Sequence, residues 1–491
     1  MRLQDFLNSA AGVSGMEYQG SGDGELHGFS LPGTRTEVER FFVLVDESWP
    51  YHQRIKASQN DWSSERLAEF IASRSLSRLL VPRSMGEAPF GPDKDYMYVD
   101  GTYRFLAEAG LLGRERAAEA GSAVVGVTGS AGKSTFKAML EHAYRAARPQ
   151  ASVLAPPPHF NTYIRVLSEL IRSADYDLSI LELSAGGRGA FFNESIREET
   201  SVSPDVAVIT NISHAHTRVM KNLRGVVNQK SAILTAPKPG GAAVLNADTL
   251  RAQKLRERAI REGWHLADFG EAEGAAFRLH SYTPAERRVR ATTPAGEFDY
   301  RLGAEGRHMA YNSLGVLATL WSLGITELEE AAASLSTFTA LPGRGETHAL
   351  PLPGGGEATV IDESYNANPS SMRAALEGLS GRPLGAGGGR RIAVLADMLM
   401  LGDQELKLHR QLLEDCREAG IDRFYLHGDL MRRALGDGED AERFIHVGER
   451  EELVSGLKSE LQDGDLVVFK GSNSMGLDQV IEALATAGLK A

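Results

Sequence analysis

An apolar run, Val124-Val125-Gly126-Val127, ends in a glycine-broken loop, Thr128-Gly129-Ser130-Ala131-Gly132. Lys133-Ser134-Thr135 then opens a helical pattern carried by Phe136, Met139 and Leu140. This order of strand, loop and helix restricts the fold more than any other stretch of the chain. Glycines let backbone N–H groups converge on an anion, and a helix N-terminus adds partial positive charge. The order therefore predicts a phosphate loop in an α/β domain. Lys133 is expected to reach the β- and γ-phosphates of a nucleoside triphosphate, and the Ser134 hydroxyl to meet Mg²⁺. The commonest spacing of such loops puts a glycine where this chain has Val127; here the glycines fall at 126, 129 and 132. A plain glycine-rich turn before a helix is the competing reading.

At 491 residues the chain exceeds one compact core, and two to four domains are expected. The net charge is −12, with acidic and basic residues interspersed. That argues against a nucleic-acid partner, whose footprint is a basic patch. No apolar run approaches the length of a membrane span, so no membrane insertion is expected. Met1 to Phe6 lack the apolar core of a signal peptide. The single cysteine, Cys416, lies in an amphipathic pattern and reads as core filling. One thiol makes no internal disulfide, so a cytoplasmic location is expected.

Along the chain, Phe41–Val45 and Leu79–Val81 read as strands, and Ser64–Arg74 and Tyr103–Leu112 as helices. Gly113–Gly121 reads as a linker or a helix end. From about residue 122, strand-like runs at 152–155, 178–183, 206–210, 242–245 and 266–269 alternate with helical patterns. This implies a largely parallel sheet covered on both faces. Phe277–Leu302 reads as a β-meander, and 309–323 and 327–335 as closing helices. Leu341-Pro342-Gly343-Arg344-Gly345 is a hinge candidate. A second α/β series follows, with strands at 358–361, 392–395, 423–426, 444–447 and 466–469. Its helices are expected at 370–379, 405–419, 449–461 and 477–487. This is a smaller Rossmann-like pattern.

Ligands on such sheets sit at the carboxyl ends of strands. Glu182 ends a strand and is a candidate Mg²⁺ ligand; a solvent-facing strand end explains it equally well. Thr210-Asn211-Ile212-Ser213-His214-Ala215-His216 ends the next strand and offers two histidines. Lys230 sits in a helical pattern, where a solvated lysine is the ordinary outcome. Asp362, Tyr365, Asn366 and Asn368 follow a strand, with Pro369 opening a helix, as a binding loop would. Lys470-Gly471-Ser472-Asn473-Ser474 is a second candidate anion loop.

Taken together and in order, these motifs resemble the Mur ligase family, and its MurF type, over roughly residues 122–487. Thr128–Ser134 is similar to the family's T-G-x-x-G-K-[ST] loop, which accounts for Val127. Thr210-Asn211-Ile212 with Ala215-His216, Leu245-Asn246-Ala247-Asp248, and Gly306-Arg307-His308 with Asn312 resemble further family segments. Asp362 to Met372 is the most MurF-like stretch; Asp397-Met398 through His409 and Lys470-Gly471-Ser472 complete the series.

The resemblance implies an α/β chain of three domains. Residues 1–118 would be a divergent N-terminal acceptor-binding domain, and 119–340 a central ATP-binding domain with a mostly parallel sheet. Residues 341–491 would form a Rossmann-like domain that binds the amine and closes on ATP. It implies an ADP-forming, ATP-dependent carboxylate–amine ligase working through an acyl phosphate. In the MurF type, the ligase joins D-Ala-D-Ala to a UDP-muramoyl-tripeptide for peptidoglycan.

ATP would be held by Thr128, Gly129, Ser130, Ala131, Gly132, Lys133, Ser134 and Thr135, with Asn246, His308, Asn312, Arg344 and Asp362. Two Mg²⁺ would be held by Ser134, Glu182, His216 and Lys230, the lysine carbamylated and therefore partly desolvated with a lowered pKa. Lys133, Glu182, His216 and Lys230 would carry the catalysis. Asn161, Tyr365, Asn366, Asn368 and Lys470 would meet the substrates. The partners would be a small-molecule carboxylate and an amine, on a monomer.

The chain departs from the family at Arg165, Met309, Gly187–Phe192, Met400 and Asn473, and Thr34-Arg35 is a weak echo of a UDP-binding pattern. A ligase for a capsule, exopolysaccharide or secondary-metabolite amide, and a silent nucleotide-binding scaffold, are the alternatives.

Overall fold

The computed structural model describes residues 1–30, 40–44, 46, 64–158, 163–183, 202–213, 222–235, 237–352, 355–384, 388–436 and 442–488. His214, His216, Asn161, Thr34-Arg35 and the 187–192 stretch lie outside them. Contact density divides the chain into two compact units. One comprises Met1–Val127, Gln150–Ala207 and Ala232–Gly241; the other comprises Thr128–Pro149, Val208–Ser231 and Ala242–Ala491.

Helix α1 (Leu3–Ser9) leads into strands β1 (Glu17–Gln19), β2 (Phe29–Ser30) and β3 (Phe41–Val43). Helix α2 (Ser64–Ser73), β4 (Arg78–Pro82), β5 (Asp95–Val99) and helix α3 (Thr102–Glu119) follow. The sheet order is β1-β5-β4-β3-β2. Side chains alternate along these strands as a pleat requires. Phe41, Val43, Leu80, Met97 and Val99 enter one core with α1 and α3. Phe42, Leu44, Leu79, Val81, Tyr96 and Tyr98 enter another on the opposite face, with Ile71 of α2.

Helix α3 runs on through the expected linker. Gly113 is no breaker there: a Cβ on it would lie 2.4 Å from the Leu170 carbonyl oxygen. The glycine lets α3 pack against helix α5, introduced below.

The second sheet holds β6 (Ala123–Thr128), β7 (Val153–Leu154), β8 (Leu178–Glu182), β9 (Val206–Ile209), β10 (Ala242–Leu245) and β11 (His265–Leu266). Its order is β11-β10-β9-β6-β8-β7. The pairings β6–β8, β7–β8 and β10–β11 are parallel. Every residue of β8, β9 and β10 is buried, which is why these runs read as continuously apolar. The associated helices are α4 (Lys133–Ala147), α5 (Tyr163–Leu170), α6 (Leu223–Lys230) and α7 (Ala252–Glu262).

The expected strand at 266–269 is broken: β11 ends at Leu266, and β12 (Phe269–Gly270) belongs to another sheet. Asp268 between them accepts the Ala276 N–H at 3.0 Å and pairs with Arg256. The meander follows as β13 (Phe277–Thr283), β14 (Arg288–Thr293) and β15 (Gly296–Arg301), antiparallel throughout. Helices α8 (Arg307–Ser322) and α9 (Leu328–Ser334) close this part.

The third large sheet holds β16 (Glu346–Pro351), β17 (Glu357–Glu363), β18 (Arg391–Ala396), β19 (Arg423–His427), β20 (Phe444–Val447) and β21 (Leu466–Lys470). Its order is β16-β17-β21-β18-β19-β20, and only β16 is antiparallel to its neighbour. Helices α10 (Pro369–Gly381), α11 (Glu405–Glu418), α12 (Asp429–Leu435), α13 (Arg450–Glu460) and α14 (Leu477–Gly488) complete it. Along β18, Ala393 and Leu395 enter one core and Ile392, Val394 and Ala396 the other. Cys416 fills the first of these cores, where burial pushes its thiol pKa up.

His409 on α11 is fully buried. Its Nε2 accepts the Met398 N–H at 2.9 Å, and its Nδ1 donates to the Glu405 carbonyl at 2.6 Å. The bond accepted by Nε2 needs the neutral ring, and burial holds its pKa below the ordinary 6.5.

Replacing Gly113 by Ala is expected to lower stability by about 1–3 kcal/mol through overpacking against α5. Gly378→Ala, on α10 with open space around it, is expected to raise stability by about 0.5–1 kcal/mol. Urea unfolding of both variants checks this. His409 also makes stability depend on pH. The unfolded chain takes up a proton near pH 6.5 that the folded chain refuses, so stability is full above that value and declines below it. His409→Gln is expected to flatten this slope, and an unchanged slope contradicts the assignment.

Candidate active site

The phosphate loop is built by the end of β9. Gly129 has φ +152°, and a Cβ there would lie 2.0 Å from Thr210 Oγ1. Thr210 Oγ1 donates to the Ala131 carbonyl at 2.6 Å. Asn211 accepts twice: its carbonyl takes the Ser130 N–H at 3.0 Å and its Oδ1 the Ala131 N–H at 2.8 Å. Ser130 Oγ accepts the Ser213 N–H at 3.0 Å. Lys133 Nζ donates to the Gly129 carbonyl at 3.0 Å, folding the side chain across the loop. Gly132, with φ +81°, is the N-cap residue of α4.

Ser130 and Ala131 therefore spend their N–H groups on Asn211. The first N–H groups of α4, from Lys133 on, have no carbonyl of their own helix to bond, as at any helix N-terminus. In the sequence Thr210 and Asn211 stand only as the end of a strand and as part of the family motif; the structure shows them shaping the loop.

Asn312, on α8, stands beside the loop. Its Oδ1 is 3.3 Å from where a Cβ on Gly132 would be. Asn312 is 6 % exposed, and among the described residues its buried Nδ2 has no hydrogen-bond partner. Leaving a buried donor of this kind unpaired costs about 1–3 kcal/mol. Asn246 is already occupied: its Nδ2 donates to the Thr210 carbonyl at 2.9 Å and its Oδ1 accepts the Asp248 N–H at 2.9 Å.

Glu182 ends β8 in register with Val127, the residue before the loop, and is 4 % exposed. Ser134, in the first turn of α4, is also buried. Lys230, the last residue of α6, is 3 % exposed. Among the described residues there is no cluster of three or more His, Cys, Asp and Glu side chains that could hold a metal. The donors on Ser134 and Glu182 are hard oxygens, the type Mg²⁺ prefers.

A second constellation joins the 341–345 linker to the loop after β17. Gly345 N–H donates to the Asp362 carbonyl at 2.7 Å, and Tyr365 N–H to the Gly343 carbonyl at 3.1 Å. The Arg344 guanidinium lies 3.7 Å from the centre of the Tyr365 ring. Asp362 Oδ1 accepts the Ser364 N–H at 2.9 Å. Asn366 Oδ1 accepts the Ala367 N–H at 2.9 Å. Asn368 is the N-cap of α10 and forms a capping box with Ser371.

Lys470, 4 % exposed, does not present a free ammonium. Its Nζ sits 3.0 Å from Glu363 Oε2 and donates to the Asn366 carbonyl at 3.0 Å. Glu363 escaped the sequence reading. Burial raises its pKa, but Lys470 and His308 outweigh that, and the carboxyl is held below its usual range. His308, in the first turn of α8, is exposed over part of its surface. Desolvation there lowers its pKa, against the pull of Glu363 and with the push of Lys470. Helix α8 thus presents His308 to the Lys470–Glu363 pair and Asn312, one turn on, to the phosphate loop. Glu305, just before α8, pairs with both Arg287 and Arg382.

Comparison with known proteins places the chain in a family. Residues 127–320 match the Mur ligase middle domain, and 343–473 match the Mur ligase, glutamate ligase domain. The UDP-N-acetylmuramoyl-tripeptide–D-alanyl-D-alanine ligase of Escherichia coli strain K12 is 29 % identical over 375 residues, 74 % of this chain and 77 % of that protein. The enzyme of the same name from Bacillus subtilis strain 168 is 27 % identical over 473 residues, 94 % of each chain. The crystal structure of MurF from Acinetobacter baumannii superposes with a TM-score of 0.76 at 22 % identity, covering 99 % of this chain and 98 % of that one. With two consecutive Mur ligase domains and a fold shared along almost its whole length, the chain belongs to the Mur ligase family and is of the MurF-like kind.

Proposed function

We propose that this chain is an ATP-dependent ligase that joins D-alanyl-D-alanine to a UDP-N-acetylmuramoyl-tripeptide, forming ADP and phosphate in peptidoglycan precursor synthesis. The observation that carries the nucleotide part is the orphaned Asn312 amide beside a phosphate loop braced by Thr210 and Asn211. The relatives' names support the choice of substrates over another acceptor. Among the described residues no helix is long and apolar enough to cross a membrane. A cytoplasmic monomer is the setting we infer for small-molecule substrates of this kind.

A carboxylate is a poor electrophile. In the proposed reaction an oxygen of the acceptor carboxylate attacks the γ-phosphorus of ATP and ADP leaves, giving an acyl phosphate. The amine nitrogen attacks the acyl carbon, phosphate departs, and the nitrogen loses a proton. Catalysis of such steps rests on positioning and charge stabilisation. Lys133 and the N-terminus of α4 would hold the phosphates, with Thr128, Gly129 and Thr135 around them. Asn312 would donate to the nucleotide. Mg²⁺, when bound, would neutralise phosphate charge; Ser134, Glu182, His216 and a carbamylated Lys230 are the residues we assign to two ions.

Arg344 and Asp362 would approach ATP from the 341–491 domain. Residues 1–118 would take the acceptor, with Asn161 at its reacting end, and 119–340 the nucleotide. Asn366 would face the amine, while Asn368 and Lys470 hold the loop that carries it. Closure of this loop would exclude water from a hydrolysable intermediate.

Purified protein given ATP is expected to sustain ADP release over many turnovers only when the acceptor and the dipeptide are present together. Lys133→Ala is expected to lower kcat/KM at least about a hundredfold. Asn312→Ala is expected to weaken ATP binding about three- to tenfold without loss of thermal stability, since the donor it removes is unpaired in the ligand-free protein. Full ATP affinity in Asn312→Ala would sink the nucleotide assignment of that residue. Lys230 is tested separately. Stripping dissolved carbon dioxide is expected to reduce turnover, and added bicarbonate to restore it. Indifference to bicarbonate contradicts carbamylation.

A further inference from the structure

We propose that Tyr365 is a positioning residue for Arg344, tying the nucleotide-facing arm to the amine-facing loop. The inference rests on the reading of Arg344 as a nucleotide contact and goes beyond it. The family resemblance implies that Tyr365 meets the substrates. The geometry gives its ring another task.

The guanidinium carbon of Arg344 lies 3.7 Å from the ring centroid, the separation of a face-on stack. The backbone on both sides is fixed around this contact. Gly343, at φ +71°, comes so close that a Cβ on it would lie 2.9 Å from the Tyr365 Cβ. The Tyr365 N–H to Gly343 carbonyl bond (3.1 Å) and the Gly345 N–H to Asp362 carbonyl bond (2.7 Å) bracket Arg344 on either side. Lys470 then holds the next residue of the loop through the Asn366 carbonyl.

A long arginine side chain otherwise samples many rotamers, and ordering it on a ligand costs affinity. A ring that already supports the guanidinium removes part of that cost. The same ring belongs to the loop that ends in the Asn368 cap of α10, so a shift of that loop moves the platform under Arg344. Nucleotide affinity and loop position are thereby linked through one side chain.

The test compares Tyr365→Leu, Tyr365→Phe, Arg344→Met and the Tyr365→Leu/Arg344→Met double variant in the full chain. Calorimetry with a non-hydrolysable ATP analogue and Mg²⁺ gives affinity; steady-state assays give KM for ATP and for D-alanyl-D-alanine. Leucine keeps apolar volume and loses the aromatic face. Tyr365→Leu is expected to weaken analogue binding and raise the KM for ATP about three- to tenfold. The KM for the dipeptide should move much less. Tyr365→Phe should restore ATP affinity, and the double variant should bind no more weakly than Arg344→Met alone. A dipeptide KM that rises while ATP affinity holds would make Tyr365 a substrate ligand and overturn the inference, as would additive losses. If Arg344→Met binds ATP normally, the nucleotide reading of Arg344 falls and takes this inference with it. Loss in Arg344→Met with none in Tyr365→Leu overturns the positioning role alone.

Discussion

The closest approach in the site is between a loop and a strand end. Thr210 Oγ1 occupies the space in which any residue other than glycine at position 129 would carry its Cβ. That contact lets the threonine reach the Ala131 carbonyl and puts Asn211 in range of two loop amides. A phosphate loop is a strained, glycine-rich turn with few bonds of its own. Here the rigidity comes from outside, from the strand that follows in the sheet. The loop that leads into the first helical turn of α4 is thereby braced by the strand end, the kind of preorganisation that charge stabilisation requires.

The loop after β17 shows a different economy. Its polar residues look like ligands in the sequence, yet most of their hydrogen bonds serve the loop itself. Asn368 caps α10, Asn366 caps its own successor, Asp362 closes a turn, and Lys470 is paired with Glu363. A loop at a sheet edge must satisfy its backbone groups. Short polar side chains do this while fixing the direction of the chain. Buried ion pairs such as Lys470–Glu363 contribute little net stability, but breaking one partner leaves an uncompensated charge. That gives the pair a role in keeping one geometry.

Much of the fold was legible because the strands of both large parallel regions are either continuously apolar or strictly alternating, and the helices carry a 3.6-residue period. What escaped had physical causes. Strand β16 is an edge strand whose Glu346 and His348 are only partly covered, so its apolar signal is weak. Helix α12 has seven residues, too few to show a period. Gly113 reads as a break and is instead a point of close helix packing. In the site, the order of strand, glycine loop and helix at 123–147 was legible from residue types and spacing alone. Glu363 was not, because the lysine that gives it meaning is 107 residues away in the chain. Nor was the service of Thr210 and Asn211 to the loop, which depends on β9 lying beside β6 in the sheet.

The central claim is that the acceptor carboxylate is activated by direct phosphorylation. The most direct measurement follows oxygen. With UDP-N-acetylmuramoyl-tripeptide labelled with heavy oxygen in its terminal carboxylate, the account predicts that the phosphate released alongside the amide product carries a single labelled oxygen taken from that carboxylate. Unlabelled phosphate, or label recovered in AMP, would contradict it.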